Sequence, residues 1–297
     1  KKGKERALNM DKERIVLCPN PAKDKGLVNT LRARELLRNA GYEPVISTLY
    51  PNAREYVLPD TLSPVPLEES MKGASLIICF GGDGTILKTA RIIRGENVPV
   101  LGVNLGHKGF MAELQPEDIR LVVKAANGEY EAISRIMLDI ELWRAGEIIY
   151  SDCALNDAVV CGTAKTINIS AYGDGSKIME YTGDGIIVST PTGSTAYSLA
   201  AGGPIVEPTA KNMLLTPICA HMINARPFIL APDRTVTIKP GDNSGKQVWL
   251  SVDGGELISM KPEDELRVRK SDNLTVMAHV TDKSFYDVAF EKLGDKI

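Results

Sequence analysis

The chain has 297 residues, 43% hydrophobic and 25% charged, and a formal net charge of −3 from 35 basic and 38 acidic side chains. That length suits two hydrophobic cores better than one, and the composition is ordinary for a folded cytosolic protein. No basic excess argues for nucleic acid or an anionic membrane surface, and no apolar run approaches the ~20 residues that cross a bilayer.

The basic start, KKGKERALNM, lacks an apolar stretch and reads as a flexible lead-in rather than a signal peptide. The numbering does not begin with Met. Arg14–Cys18 then reads as a buried strand. Lys25–Ala40 carries Leu27, Leu31, Leu36, Leu37 and Ala40 at helical spacing, and Gly41 stops it. Glu43–Thr48 is a second strand, followed by a proline-rich loop over Tyr50–Pro66. Ser75–Phe80 is a strand, Thr85–Arg94 a helix and Val98–Val103 a strand. Pro116 opens a helix that runs to about Ala126. This alternation predicts a parallel sheet flanked by helices.

After about Asn127 the texture changes. Short alternating strands are expected at Ala132–Trp143, Glu147–Tyr150, Ala154–Val160, Thr166–Tyr172, Gly185–Thr190, Val236–Lys239, Val248–Val252, Glu265–Arg269 and Leu274–Ala278. Gly, Asp and Asn punctuate them. Ser194–Ala201 is the helical exception, and Ser284–Leu293 reads as a terminal helix. The expected fold is an α/β N-terminal domain with a parallel sheet over residues 1–126. An all-β, sandwich-like domain over 127–279 follows it.

Cys18, Cys79, Cys153, Cys161 and Cys219 form no C-x-x-C, so they read as buried, reduced, structural thiols. His107, His221 and His279 are too far apart in sequence to suggest a metal site.

Four segments carry chemistry. In Leu76-Ile77-Ile78-Cys79-Phe80-Gly81-Gly82-Asp83-Gly84-Thr85 an apolar strand runs into glycines around one aspartate, then into a helix. Glycines let a ligand approach the backbone, and the helix start suits a phosphate. An aspartate there can take a proton from a hydroxyl nucleophile, orient a metal, or simply cap the helix. Lys88 follows on the second helical turn, where it reaches a phosphate or stays solvated. The loop is neither a Walker loop nor a G-x-G-x-x-G fingerprint. In the second segment, Leu101 to Phe110, His107 or Lys108 faces phosphates or lies in a structural turn. In the third, Asn156 and Asp157 interrupt an apolar run, either to meet a ribose diol or to make a β-bulge or tight turn. The fourth runs from Tyr181 to Pro204. There a Gly-Asp-Gly turn precedes a strand that ends in a Ser/Thr/Pro/Gly cluster opening a short helix. Its hydroxyls, free N–H groups and aromatic ring suit a nucleoside.

Taken together, GGDGT, LGVNLGHKGFMAEL, the Asn-Asp pair, DGIIVSTPTGSTAYSLAAGGPI and SVDGG resemble the NAD kinase family, in the family's order and across nearly all of the chain. The resemblance implies transfer of the γ-phosphoryl group of ATP, or of polyphosphate, to the 2′-hydroxyl of the adenosine ribose of NAD. It makes Asp83 the catalytic base, with Gly84 supporting the loop through its backbone. Asn156 and Asp157 would meet the adenosine part of NAD, and Asp184 the nicotinamide amide. Thr195, Ala196, Tyr197, Ser198, Leu199 and Ala200 would line the adenine and ribose pocket. It further implies a divalent metal, usually Mg²⁺, brought with ATP but with no protein ligands assigned. The resemblance also implies a terminal segment, residues 280–297, that rejoins the first domain, and a cytoplasmic homo-oligomer, a dimer or tetramer.

Three positions depart from the family pattern. Asp157 stands where many members have Glu, Thr182 where many bacterial members have Arg, and Gly255 where some have Gln. Two rivals remain. A lipid kinase of the diacylglycerol or sphingosine type shares the GGDGT loop but usually carries a GTAND-like stretch where this chain has LGVNLGHKGF. A non-catalytic dinucleotide sensor would have no need of Asp83.

Overall fold

The computed structural model describes residues 14–49, 64–106, 109–222, 224–243 and 245–294. The basic lead-in, most of the proline-rich loop, and the phosphate candidates His107 and Lys108 lie outside the described residues. The chain forms two compact units, Lys1–Ser134 with Thr275–Ile297, and Arg135–Leu274.

The first unit is α/β. It contains β1 (Arg14–Pro19), α1 (Val28–Asn39), β2 (Val45–Thr48), β3 (Val65–Pro66), α2 (Leu67–Ser70), β4 (Ala74–Gly81), α3 (Asp83–Ile92), β5 (Val100–Asn104) and α4 (Leu121–Ala126). The strands are parallel, in the order β3-β2-β1-β4-β5. β1, β4 and β5 read as apolar runs because almost every side chain in them is buried. Leu17, Ile78, Phe80, Leu101 and Val103 form the core with Ala33 and Leu37 of α1.

Helix α1 turns part of its expected apolar set inward: Leu27 and Leu37 are buried and Leu36 packs against the core, while Leu31 and Ala40 are exposed. Gly26 and Leu27 adopt left-handed φ of 65° and 55°, which breaks the helix from the 3₁₀ turn before it. Beyond the break Thr30, Ala33 and Leu37 are buried, while Leu31 is exposed. Asp24 holds the new start, its carboxylate accepting the amides of Asn29 and Thr30 at 3.0 and 2.9 Å.

The second unit is a β-sandwich. Its strands are β6 (Glu131–Arg144, beginning in the first unit), β7 (Glu147–Ala154), β8 (Asp157–Gly162), β9 (Ile167–Gly173), β10 (Ser176–Gly183), β11 (Gly185–Ser189), β12 (Met213–Ile218), β13 (Phe228–Leu230), β14 (Thr235–Pro240), β15 (Val248–Val252), β16 (Ile258–Met260) and β17 (Glu265–His279). One short helix, α5 (Tyr197–Ala200), follows β11. One sheet runs β10-β9-β14-β17, with β6 on β17 and β7 on β6. The other runs β13-β12-β11-β8-β15-β16 and is antiparallel. Inward residues of both sheets share one core, among them Leu138, Val160, Ile169, Val188, Ile238 and Leu250.

Several elements differ from the sequence reading. Ala154–Val160 is not one strand: β7 ends at Ala154 and β8 begins at Asp157. Glu265–Arg269 and Leu274–Ala278 are one strand, β17, because Lys270–Asn273 stays extended despite its turn-like composition. The last residues of β17 return to the first unit, where Met277 pairs in parallel with Val100 of β5. α6 (Phe285–Leu293) closes that unit and starts on a capping box between Ser284 and Asp287. The thiols also divide. Cys18, Cys79 and Cys153 are buried, but Cys161 is only half-buried and Cys219 is exposed. All five are free.

Candidate active site

In the first unit, β4 ends at Gly81 and α3 begins at Asp83, with Gly82 as the N-cap residue. Asp83 does not cap its own helix. Its carboxylate turns to the loop after β5, where the amides of Phe110 and Met111 donate to Oδ2 and Oδ1 at 2.7 and 3.2 Å. Two N–H donors fix the carboxylate in plane and leave its remaining lone pairs for an incoming proton. The two glycine loops are tied together. The Leu105 amide donates to the Gly81 carbonyl at 2.6 Å, and within the second loop the Gly106 amide donates to Asn104 Oδ1 at 3.1 Å.

The glycines here have separate jobs. Gly84 is exposed with open space where a side chain would stand, so its face of the loop is accessible. Gly109 is the reverse case: a Cβ there would lie 2.4 Å from Asp83 Oδ1. Lys88 sits on the second turn of α3 among other charges. Burial, foremost, and Arg91 lower its pKa, while Glu68 raises it. Asp83 instead figures in the charge environment of Lys292, on the last turn of α6. Sequence reasoning missed Lys292 and Gly109. A lysine near the end of a terminal helix carries no local signal, since it reaches Asp83 only through the chain's return to the first unit.

In the second unit, the break between β7 and β8 has a clear cause. Asp253 accepts three consecutive amides: Leu155 at Oδ2, 2.8 Å, and Asn156 and Asp157 at Oδ1, 2.8 and 2.9 Å. Three bonds to one carboxylate replace the ladder bonds the chain gives up there. The Asp253 backbone takes φ 48° and donates its own amide to the Asp157 carbonyl at 3.0 Å. Asp253 belongs to the SVDGG turn, to which the sequence reading gave no role.

Asn156 and Asp157 are thereby buried and aimed. Asn156 Oδ1 is buried without a hydrogen-bond partner among the described residues, as are Ser189 Oγ and Thr192 Oγ1. Unmet buried polar atoms are costly, and a ligand can satisfy them. Burial, and then the nearby Asp253, push the Asp157 carboxyl up to about 7.

Tyr197 opens α5 with 46% of its surface exposed. Burial raises its phenol, and so do the charges of Cys161, Cys219, Asp184 and Asp157 in that order, which places all four around it. Asp184 is exposed on the turn between β10 and β11 and accepts a hydrogen bond from the Cys219 thiol. Beside it a cleft of 480 Å³ is lined by Ala201, Gly202, Cys219, His221 and Arg226.

The Thr195–Ala200 stretch splits by direction. Thr195 Oγ1 donates back to the Thr192 carbonyl at 3.2 Å. Ser198 is fully buried and shares a 2.9 Å hydrogen bond with Thr216 of β12, so it anchors the helix. Ala196 and Leu199 are half-buried, and Ala200 is exposed. Gly193 packs so tightly on this loop that a Cβ would lie 2.3 Å from the Asn156 carbonyl oxygen. At the departing positions, Thr182 Oγ1 donates to Asn168 Oδ1 at 2.6 Å, joining β10 to β9, and the Gly255 amide donates to Val252 at 2.8 Å in a turn.

An α/β unit with a carboxylate set in a glycine-rich loop at a strand end, followed by a β-sandwich with unmet polar groups, fits one class: a two-unit phosphotransferase. The comparisons narrow it. "ATP-NAD kinase N-terminal domain" matches residues 28–130 and "ATP-NAD kinase C-terminal domain" residues 156–280. The NAD kinase of Ruminiclostridium cellulolyticum is 34% identical over 96% of this chain and 99% of its own length. That of Tolumonas auensis is 38% identical over 78% and 82%. Among solved structures, yeast NADH kinase complexed with NADH aligns with a TM-score of 0.79 at 25% identity, over 96% of this chain and 88% of that one. An NAD kinase from Archaeoglobus fulgidus shares the fold, with a TM-score of 0.73 over 94% and 98%. The chain belongs to the NAD kinase family, and it is a phosphotransferase that makes NADP.

Proposed function

We infer that the chain moves the γ-phosphoryl group of ATP to the 2′-hydroxyl of the adenosine ribose of NAD, with Asp83 as the base that accepts the hydroxyl proton. The observation that carries this reading is the carboxylate of Asp83, held by the Phe110 and Met111 amides at the end of β4. A sensor would gain nothing from fixing a carboxylate there. Gly84 leaves the loop open to phosphate. Asn156 Oδ1 and the Asp157 carboxylate hold the adenosine ribose and base, Asp184 the nicotinamide amide, and Tyr197 packs on the ligand. Thr195, Ala196, Leu199 and Ala200 frame the pocket that Ser198 anchors from behind. Lys88 is a secondary phosphate contact.

A divalent ion, Mg²⁺ in this reading, enters as part of the ATP substrate and spreads charge off the transferring group. Among the described residues no group of three or more His, Cys, Asp or Glu side chains forms a metal cage, so the phosphates would supply most of its ligands. We place the enzyme in the cytoplasm as a homo-oligomer, a dimer or tetramer. Exposed Met222, Phe228 and Ile229 offer apolar surface for such an assembly. Among the described residues no helix is long and apolar enough to cross a membrane.

The test is an NADP-production assay crossing NAD or NADH with ATP or polyphosphate. NAD with ATP should be the productive pair. No 2′-phosphorylated product from any pairing would favour the sensor, and phosphorylation of a diacylglycerol instead would favour the lipid kinase.

The Asp157 carboxyl adds a pH dependence. A carboxylate accepts the ribose hydroxyls better than a carboxylic acid, and protonation begins as pH falls through about 7. NAD affinity should therefore fall by up to about tenfold per pH unit below 7. Isothermal titration between pH 5.5 and 8.5 checks this, and Asp157→Asn should flatten the profile. Folding has the opposite dependence. The unfolded carboxyl ionises near 3.8, so the stability tied to this raised group is full below that and lost as pH rises through about 7.

A further inference from the structure

We propose that Lys292, carried by the last turn of α6, is a phosphate-binding residue that holds the donor's phosphates beside Asp83. The proposal rests on the kinase reading above and extends its donor site to the C-terminal helix.

Two features hold this part of the chain against the Asp83 loop. The residues leading to α6 are tied to Glu113, just beyond the Phe110–Met111 amides. His279 Nδ1 lies 3.0 Å from the Glu113 carboxylate, and the Thr281 amide donates to it at 3.0 Å. The α6 start is then fixed by its capping box, the Ser284 amide donating to Asp287 Oδ2 at 2.9 Å. From this frame Lys292 Nζ reaches 5.3 Å from the ring centroid of Phe110. Phe110 is the residue whose amide binds Asp83 Oδ2.

The charge balance around Lys292 is unusual. Its side chain is half-buried, and among the described residues no carboxylate forms an ion pair with it. The adjacent Glu291 is taken by Lys283 at 2.9 Å. Burial, foremost, disfavours its charged form, while Asp83 and Glu291 favour it and Lys283 opposes it. A partly dehydrated ammonium resting on an aromatic ring gains modestly from that ring. It gains more from an anion in the adjacent glycine loop, where N–H donors at the start of α3 already suit phosphate. The charges that act on Lys88, after burial, are those of Arg91 and Glu68, so it is less well placed for this.

A merely structural role for Lys292, holding α6 on Phe110, predicts something else, and the experiment separates the two. Lys292→Met keeps the apolar stem, and Lys292→Arg keeps the charge. We expect Lys292→Met to raise the ATP KM about tenfold with the NAD KM within twofold, and Lys292→Arg to restore most of the loss. Equilibrium binding of ATP should weaken by a similar factor while binding of adenosine does not change. Equal losses for ATP and adenosine, or an unchanged ATP KM in Lys292→Met, would overturn the proposal. So would a fall in melting temperature without the ATP-specific change. Wild-type protein that makes no NADP with ATP would instead overturn the kinase reading beneath it.

Discussion

Asp83→Asn is expected to lower kcat for NADP formation by roughly a thousandfold and to leave the NAD dissociation constant within about twofold. The size follows from the role, because a positioned general base contributes about 10²- to 10⁴-fold. The geometry explains why binding should survive. Asparagine has the same shape, and its carbonyl oxygen can still accept one of the two amides now donated by Phe110 and Met111. Its NH₂ group faces the other amide and cannot accept from it, so the side chain pivots slightly rather than leaving the site. Measured kcat and NAD binding on the same preparation check the split. Unchanged turnover would remove Asp83 from the role of base.

Gly109→Ala is the second large effect, and it reaches the same atom from the other side. The added methyl would lie 2.4 Å from Asp83 Oδ1, 3.0 Å from Cγ and 3.3 Å from Oδ2. No rotation of a methyl relieves that contact, so the carboxylate or the loop must move. A displacement of the base approaching 1 Å costs on the order of a hundredfold in rate, since reactions held in near-attack geometry are that sensitive to position. NAD affinity should hold, because the residues assigned to NAD belong to the second unit. A kcat within twofold of wild type would show that the Asp83 position is not critical. The double variant with Asp83→Asn should lose little beyond the single one, as residues acting through one group are non-additive.

Much of the fold was legible because unit-one strands are continuous apolar runs and the glycines mark their ends. β4 and the loop into α3 illustrate this: Leu76 to Phe80 names the strand, and Gly81-Gly82-Asp83-Gly84 its end. What escaped was set by tertiary contact. Met213–Ile218 is an apolar run, but Pro217 argues against a central strand. The structure tolerates it because β13 pairs only Met213–Leu215, so β12 has a single strand partner at Pro217. β10 is an edge strand with exposed polar residues, so no apolar alternation announced it. The candidate site divides the same way. Asp83 and Asn156 stand out in sequence because a polar residue interrupts an apolar pattern. Asp253 does not, since an aspartate before two glycines reads as an ordinary turn until its three amide partners are seen.

The split ownership of the first unit, Lys1–Ser134 with Thr275–Ile297, has a consequence for how the protein is made. On the ribosome the glycine loop emerges early, yet the end of β17 and the helix carrying Lys292 emerge only after all of Arg135–Leu274 has been translated. At ordinary elongation rates that is a wait on the order of ten seconds. During it, β5 has β4 on one side but lacks β17 on the other, and the Asp83 loop lacks its lysine, while the second unit already has its whole sequence and can close. The nascent chain thus completes its β-sandwich before its α/β unit, and premature termination anywhere before Thr275 leaves the first-made loop without its last-made partners.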